Sequence, residues 1–261
     1  MPEILLLGPL QRDLPAEVWR GCLASLRSRF PAAGPVLVNA NGLLRDSGAV
    51  DRFLEILFES GIDVVTLGDQ AVARTAARRA LDRWPRLLRP LNLPPGAPGT
   101  GAVSIPTPSG PLWFVSLFTG TDRFPVDDPF AAFERFVRDC QPPAVVVDVA
   151  GPDLEVKKAL SWRWQGGNVP VHVVGTGLGV ATDDLRVTGG RAFVSDLGMI
   201  GDPDLIDGRS PADWWSDRHH LPRPAADAPP PGYLRIDGAR LVTGDGFRAQ
   251  AFEPFRMRYP A

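Results

Sequence analysis

The feature that most constrains this chain is a recurrent alternation. Short β-branched or aliphatic runs, each closed by glycine, asparagine or aspartate, are separated by longer segments of helical period. The runs are residues 4–7 before Gly8, 36–38 before Asn39, 64–67 before Gly68, 145–147 before Asp148 and 171–174 before Gly175. Unbroken apolarity of this kind suits strands buried on both faces. Residues 17–30, 50–60, 71–84 and 130–140 repeat apolar side chains at helical spacing, with Phe130, Phe133, Phe136 and Val137 on one face of the last. Strand and helix in alternation predict a layered α/β fold. Residues 112–118 read as a further strand, entered from a turn-rich stretch at 90–110 where proline and glycine stop any helix.

The texture changes after Asp196. Ser210-Pro211 has the cap-plus-proline pattern of a helix start, and the helix it opens carries Trp214 and Trp215. Residues 221–232 are rich in proline and alanine and read as an extended connector. Residues 233–252 read as two short strands around the turn at Gly244-Asp245-Gly246. The expectation is one domain over 1–261, with 221–261 as its connector and β-rich C-terminal tail.

Composition narrows the partners. Lys+Arg number 28 against 30 Asp+Glu, a net charge of -2, so no electrostatic excess draws the chain to nucleic acid or to an anionic membrane. Cys22 and Cys140 lack the spacing of a metal or redox pair and read as reduced thiols. The apolar run near the start is short, follows Glu3 and has no cleavage site, and nowhere do eighteen apolar residues run together. A cytoplasmic protein is expected. No serine-nucleophile elbow, P-loop or zinc-protease motif is present.

In layered α/β folds the chemistry sits beyond the carboxyl ends of the strands. The loops that matter are Gly8-Pro9, Asn39-Ala40-Asn41-Gly42, Gly68-Asp69-Gln70, Asp148-Val149-Ala150 and Gly175-Thr176-Gly177-Leu178-Gly179. In this order they resemble those of the calcineurin-like metallophosphoesterases, and more closely the bacterial YmdB-like branch, which hydrolyses cyclic nucleotides and related phosphodiesters with two metal ions. The resemblance extends to Arg89-Pro90-Leu91-Asn92 with the proline- and glycine-rich 94–101, to Asp127-Asp128-Pro129-Phe130, to 157–162, and to Asp196-Leu197-Gly198-Met199 with Gly201. It covers most of residues 4–240. It implies an αββα sandwich of two mixed β-sheets flanked by helices, and homo-oligomers.

At the positions where that family places metal ligands and a general acid, this chain has Pro9, Asn41, Gly42, Asp69, Gln70, Ala150, Gly177 and Gly179. Glycine, alanine and proline side chains have no lone pair to give. The expectation that follows is a degenerate dimetal cleft, no catalytic residue and no cofactor. The chain would then be a non-catalytic relative that binds, assembles or regulates, by joining an active paralogue or by offering its cleft to a ligand. Asn41, Asp69, Asp148 and Arg45, which stands where the family has a histidine, form the residual ligand-binding set, able at most to hold a single weakly bound Mg, Mn or Ca ion.

Two alternatives stand beside this reading. One is a weak metal-dependent phosphodiesterase acting on 2′,3′-cyclic nucleotides through a reduced metal site. The other is a metal-free nucleotide or phosphate sensor that uses Arg45, Arg89, Arg163 and the glycine loop at 175–179. Other residues suit structural roles: His172 in the core, His219 and His220 at the surface, and Asp69 as a helix N-cap. Trp162, Trp164, Trp214 and Trp215 suit the core or an interface.

Overall fold

The computed structural model describes residues 2–11, 15–42, 50–73, 75–206, 209–222 and 232–260. The first half alternates as the sequence predicts: β1 (Glu3–Leu7), α1 (Ala16–Arg29), β2 (Ala33–Asn39), α2 (Val50–Glu59), β3 (Val64–Thr66), α3 (Gln70–Ala73), α4 (Thr75–Arg83) and β4 (Leu87–Leu88). The second half follows with β5 (Ala102–Thr107), β6 (Gly110–Phe118), α5 (Pro129–Cys140), β7 (Val145–Ala150), α6 (Leu154–Arg163) and β8 (Val171–Thr176). After it come β9 (Arg186–Thr188), β10 (Arg191–Val194), β11 (Ile200–Gly201), α7 (Pro211–Arg218), β12 (Tyr233–Thr243) and β13 (Ala249–Pro260).

The strands form two mixed sheets. One is seven-stranded, ordered β11-β12-β1-β2-β3-β4 with β13 on β12, and the other is six-stranded, ordered β5-β6-β7-β8-β10-β9. Alternation along each strand assigns its side chains to layers. Leu5, Leu7, Val36, Val38 and Val65 pack under α1, α2 and α4. Their neighbours Ile4, Leu6, Leu37 and Val64 meet Phe114, Val146 and Val174 of the other sheet. Val115, Val147 and Val173 turn outward to Phe133, Phe136 and Leu160 of α5 and α6. The result is the helix–sheet–sheet–helix sandwich expected from the sequence.

Several motifs have local causes. Asp128 caps α5 by accepting from Phe130 N at 2.9 Å, with Pro129 in the first turn. Ser210 caps α7 through Asp213 N in the same way. Asn92 donates to Phe118 O (2.8 Å) and Asp127 O (2.9 Å) and accepts from Phe118 N (3.0 Å), which ties the turn after β6 to the body of the domain.

The structure departs from the sequence reading in two places. Residues 102–107 form a strand rather than loop. Pro106 is tolerated there because β5 is an edge strand, where a missing N–H leaves no ladder partner unsatisfied. The C-terminal hairpin is longer than two short strands: β12 and β13 run 11 and 12 residues, and β12 lies inside the sheet, paired with β1 as well as β13. The connector at 223–231 lies outside the described residues. Among the described residues no helix is long and apolar enough to cross a membrane.

Towards the carboxyl ends of the strands the layer between the sheets turns from apolar to polar. Asp148, on the same face of β7 as Val146, is fully buried there. Its carboxylate accepts from Asn39 Nδ2 of β2 (2.9 Å), from the Thr66 hydroxyl of β3 and from Thr176 Oγ1 of β8 (2.7 Å), so one side chain joins both sheets. Ser116 Oγ adds a bond to Leu67 O at 2.9 Å. Burial pushes the Asp148 carboxyl above the usual carboxylate range, and its three donors and the Lys157 charge hold it back.

His172 is also buried between the sheets. Its Nδ1 accepts from Ala192 N (3.1 Å), so Nε2 carries the proton and donates to Phe247 O (2.9 Å). Burial pushes its pKa down to about 4.

Both buried polar groups can be probed. Replacing Asp148 with valine strands three buried donors and should lower unfolding free energy by about 3 kcal/mol in urea melts, whereas asparagine, which keeps one acceptor, should cost less. For His172, the neutral ring is favoured in the fold, so its contribution is complete above pH 6.5 and is lost as pH falls towards 4. The advantage of the wild type over His172→Asn should therefore shrink, by on the order of 2 kcal/mol, between urea melts at pH 7 and pH 5. The comparison is made between proteins because the Asp196 carboxyl, raised to about 6, gives the opposite slope over the same range.

Candidate functional site

A cavity of about 590 Å³ opens where strand ends from both sheets meet. Its lining includes Pro9, Asn41, Gly42, Asp69, Ala150, Gly177 and Gly179, so seven of the eight cleft positions singled out in the sequence converge. The eighth, Gln70, is buried beside Asp69. Glycine is required at two points of close approach. A Cβ on Gly8 would meet Met199 N at 2.7 Å, and Gly177, at φ +112°, would meet Gly151 N at 2.8 Å.

The residual donors divide differently from expectation. The Asn41 Oδ1 oxygen accepts from two backbone amides, Gly68 N (2.8 Å) and Gln70 N (3.0 Å), which occupies both of its lone pairs. Asn41 therefore braces the start of α3, the task the sequence reading gave to Asp69. The Asp69 side chain is left for the pocket. Its Oδ1 accepts from Asn41 Nδ2 (2.6 Å) and its Oδ2 from Gln70 Nε2 (2.8 Å), which fixes the carboxylate plane and leaves one lone pair on each oxygen. Asp148 does not line the cavity; it lies beneath the floor, engaged with Asn39, Thr66 and Thr176. Arg45 lies outside the described residues.

The cations are likewise rearranged. Arg89 is buried and donates to Pro90 O at 2.8 Å, its pKa lowered by burial, and Arg163 pairs with Glu134 of α5 at 2.8 Å. The cavity is lined instead by Arg123, whose guanidinium lies 5.2 Å from the Phe124 ring. Arg123 and Phe124 follow β6, a strand legible in the sequence whose trailing turn was not among the five loops; the strand-end rule reaches them. Of the tryptophans, Trp164 packs edge-on against Phe133, while Trp162 is exposed and Trp215 stacks on His219.

Which metal could these residues hold? Among the described residues no three His, Cys, Asp or Glu side chains gather. A single hard ion does fit. Asp69 supplies a carboxylate with lone pairs to spare, and Gln11, also on the cavity lining, keeps a buried amide oxygen with no partner among the described residues. Mg²⁺ is commonly held by one or two carboxylates, with water and substrate phosphate completing its shell.

Comparison with known proteins gives this geometry a context. Residues 16–225 match the family of YmdB-like proteins. The chain is 29% identical over 207 residues to the 2′,3′-cyclic-nucleotide 2′-phosphodiesterase of Bacillus subtilis, covering 78% of this chain and 77% of that protein. Among solved structures it is similar to a protein of Thermus thermophilus, described as hypothetical (TM-score 0.84, 28% identity, 99% and 100% of the two chains). It shares its fold with a phosphatase of Mycoplasma pneumoniae (TM-score 0.84, 21% identity, 99% and 94%).

These findings correct the expectation of a non-catalytic chain, because the relative aligned over most of it carries the name of a phosphodiesterase. The expectation of no cofactor falls with it, since metallophosphoesterase-like hydrolases work with divalent ions. A degenerate dimetal site is not shown either. Residues 12–14 and 43–49, which follow the lining residues Gln11 and Gly42 in sequence, lie outside the described residues. Fold, pocket and a match over most of its length agree: the chain belongs to the YmdB-like protein family.

Proposed function

We propose that this protein is a metal-dependent phosphodiesterase acting on 2′,3′-cyclic nucleotides in the cavity at the strand ends. The observation that carries the reading is the Asp69 carboxylate, locked by Asn41 and Gln70 and turned to a cavity that Arg123 also lines. The similarity to the Bacillus subtilis enzyme supports the substrate class. The cavity volume lies in the range of small-ligand sites.

Each group has a task set by its chemistry. Asp69 would hold a divalent ion, and the amides of Asn41 and Gln70 keep its oxygens in register. A bound ion would supply a Lewis acid for the phosphoryl oxygens and lower the pKa of its water. Arg123 offers a planar cation to the single negative charge of the diester. Phe118, Phe124 and Leu178 line the same cavity with apolar surface suited to a base. Gln70 exchanges no proton near neutral pH, so its contribution is to hold Asp69.

The test is direct. Purified protein incubated with 2′,3′-cyclic AMP should release nucleoside monophosphate on addition of Mg²⁺ or Mn²⁺, and EDTA should abolish the release. Asp69→Asn should lower kcat/KM at least about tenfold, and Arg123→Ala should raise KM. Turnover no greater than in buffer, with folded protein and every divalent ion tried, would overturn the reading.

A further inference from the structure

Two walls of the cavity are tied together from behind by one carboxylate that never reaches it. Asp196 follows β10 and its side chain is fully buried. Its Oδ2 accepts from Leu178 N at 2.8 Å, in the glycine lip after β8, and its Oδ1 accepts from Gly198 N at 3.0 Å. Gly198 opens the segment that supports the adjoining wall: Ile200 N donates to Pro9 O (2.8 Å), and Gln11 N donates to Ile200 O (2.9 Å). Leu178, Gly179, Pro9 and Gln11 all line the cavity.

Beneath the carboxylate lies Lys157 of α6, also fully buried. Its Nζ donates to Thr176 O at 3.0 Å and stands 3.6 Å from Asp196 Oδ2. A buried ion pair is seldom worth more to stability than a well-packed apolar pair, so its presence asks for another reason. Here the carboxylate gives two backbone amides, one in the lip and one in the segment behind the adjoining wall, a common acceptor that no apolar residue could provide.

We infer that Asp196, held by Lys157, is a positioning residue that couples the 177–179 lip to the Pro9–Gln11 wall and so sets the width of the cavity for the diester. The inference rests on the reading of that cavity as the substrate site. The charged groups around Asp196 are Lys157 on α6 and Asp148 on β7, with Asp153 at the start of α6 acting on Lys157. Beyond Met199, Asp237 of β12 is paired with Arg235 and Arg256. Burial raises the Asp196 carboxyl to about 6 and lowers the Lys157 ammonium. A protonated carboxyl turns one oxygen into a donor, so full coupling belongs to the ionised form.

The two amides sit on different oxygens of Asp196, so an asparagine side chain in the same place accepts from one and turns an NH2 towards the other. Asp196→Asn should raise KM for 2′,3′-cyclic AMP by about tenfold while kcat stays within about twofold. Hydrogen exchange at Leu178 or Gly198 should quicken by at least about tenfold, with Thr119, bonded to Ala150 O, unchanged. Unaltered exchange at both amides, or acceleration spread evenly over the chain, would overturn the inference. Should the variant not fold, the wild type decides the matter: amide resonances of Leu178 and Gly198 should titrate together with a midpoint near pH 6, and flat profiles would refute the coupling. Exchange and titration need no turnover, so a chain inactive on cyclic nucleotides would refute the proposed function and leave this inference to be judged separately.

Discussion

The arrangement of this protein depends on the carboxylate of Asp148, buried where the two sheets face each other. Below it the inter-sheet layer is mostly hydrocarbon, with Ile4, Leu6, Leu37, Val64, Phe114 and Val146 around the buried His172. Such contacts hold sheets together without fixing how far their ends splay, because burial is non-directional. Asp148 adds direction at the end that matters. Hydrogen bonds from Asn39, Thr66 and Thr176 fix the spacing of β2, β3 and β8 about β7, and two of those donors, Asn39 and Thr176, also line the cavity above.

A second buried set extends the same logic outward. Lys157 and Asp196 lie under the lip after β8, next to the Asp148 network, and their cost is the desolvation of both ions. Polar networks of this kind specify one arrangement when every member is satisfied. Here the bonds run to Thr176 O, Leu178 N and Gly198 N, all main chain, so the arrangement specified is that of the backbone around the pocket.

Much of this was legible in the sequence, for identifiable reasons. Buried parallel strands such as β7 and β8 announce themselves as valine runs, and α5 by a capped, phenylalanine-striped segment. β5 was not legible, because proline within a strand argues against one until its place at a sheet edge is known. Seven of the eight cleft positions come together at one cavity because strand ends gather by topology alone. Their roles were harder to read, since a role depends on which lone pair is already taken. Asn41 spends its oxygen on two backbone amides and Asp148 spends its carboxylate on Asn39, Thr66 and Thr176, so Asp69, read both as a helix cap and as a residual ligand, is among the described residues the carboxylate that faces the cavity. Arg123 escaped the sequence reading because its turn follows β6, whose end carries none of the family's ligand positions.

The place of β12 has a consequence for how the chain matures. β1 needs β12 as its antiparallel neighbour, yet Glu3 and its ion-pair partner Arg240 are 237 positions apart. During synthesis β1 leaves the ribosome with one flank open and waits for every other strand except β13 to be made before it is covered. Long-range closure of this kind slows folding and prolongs exposure of unpaired backbone. The nascent protein is thus most vulnerable to premature association just before the β12–β13 hairpin emerges.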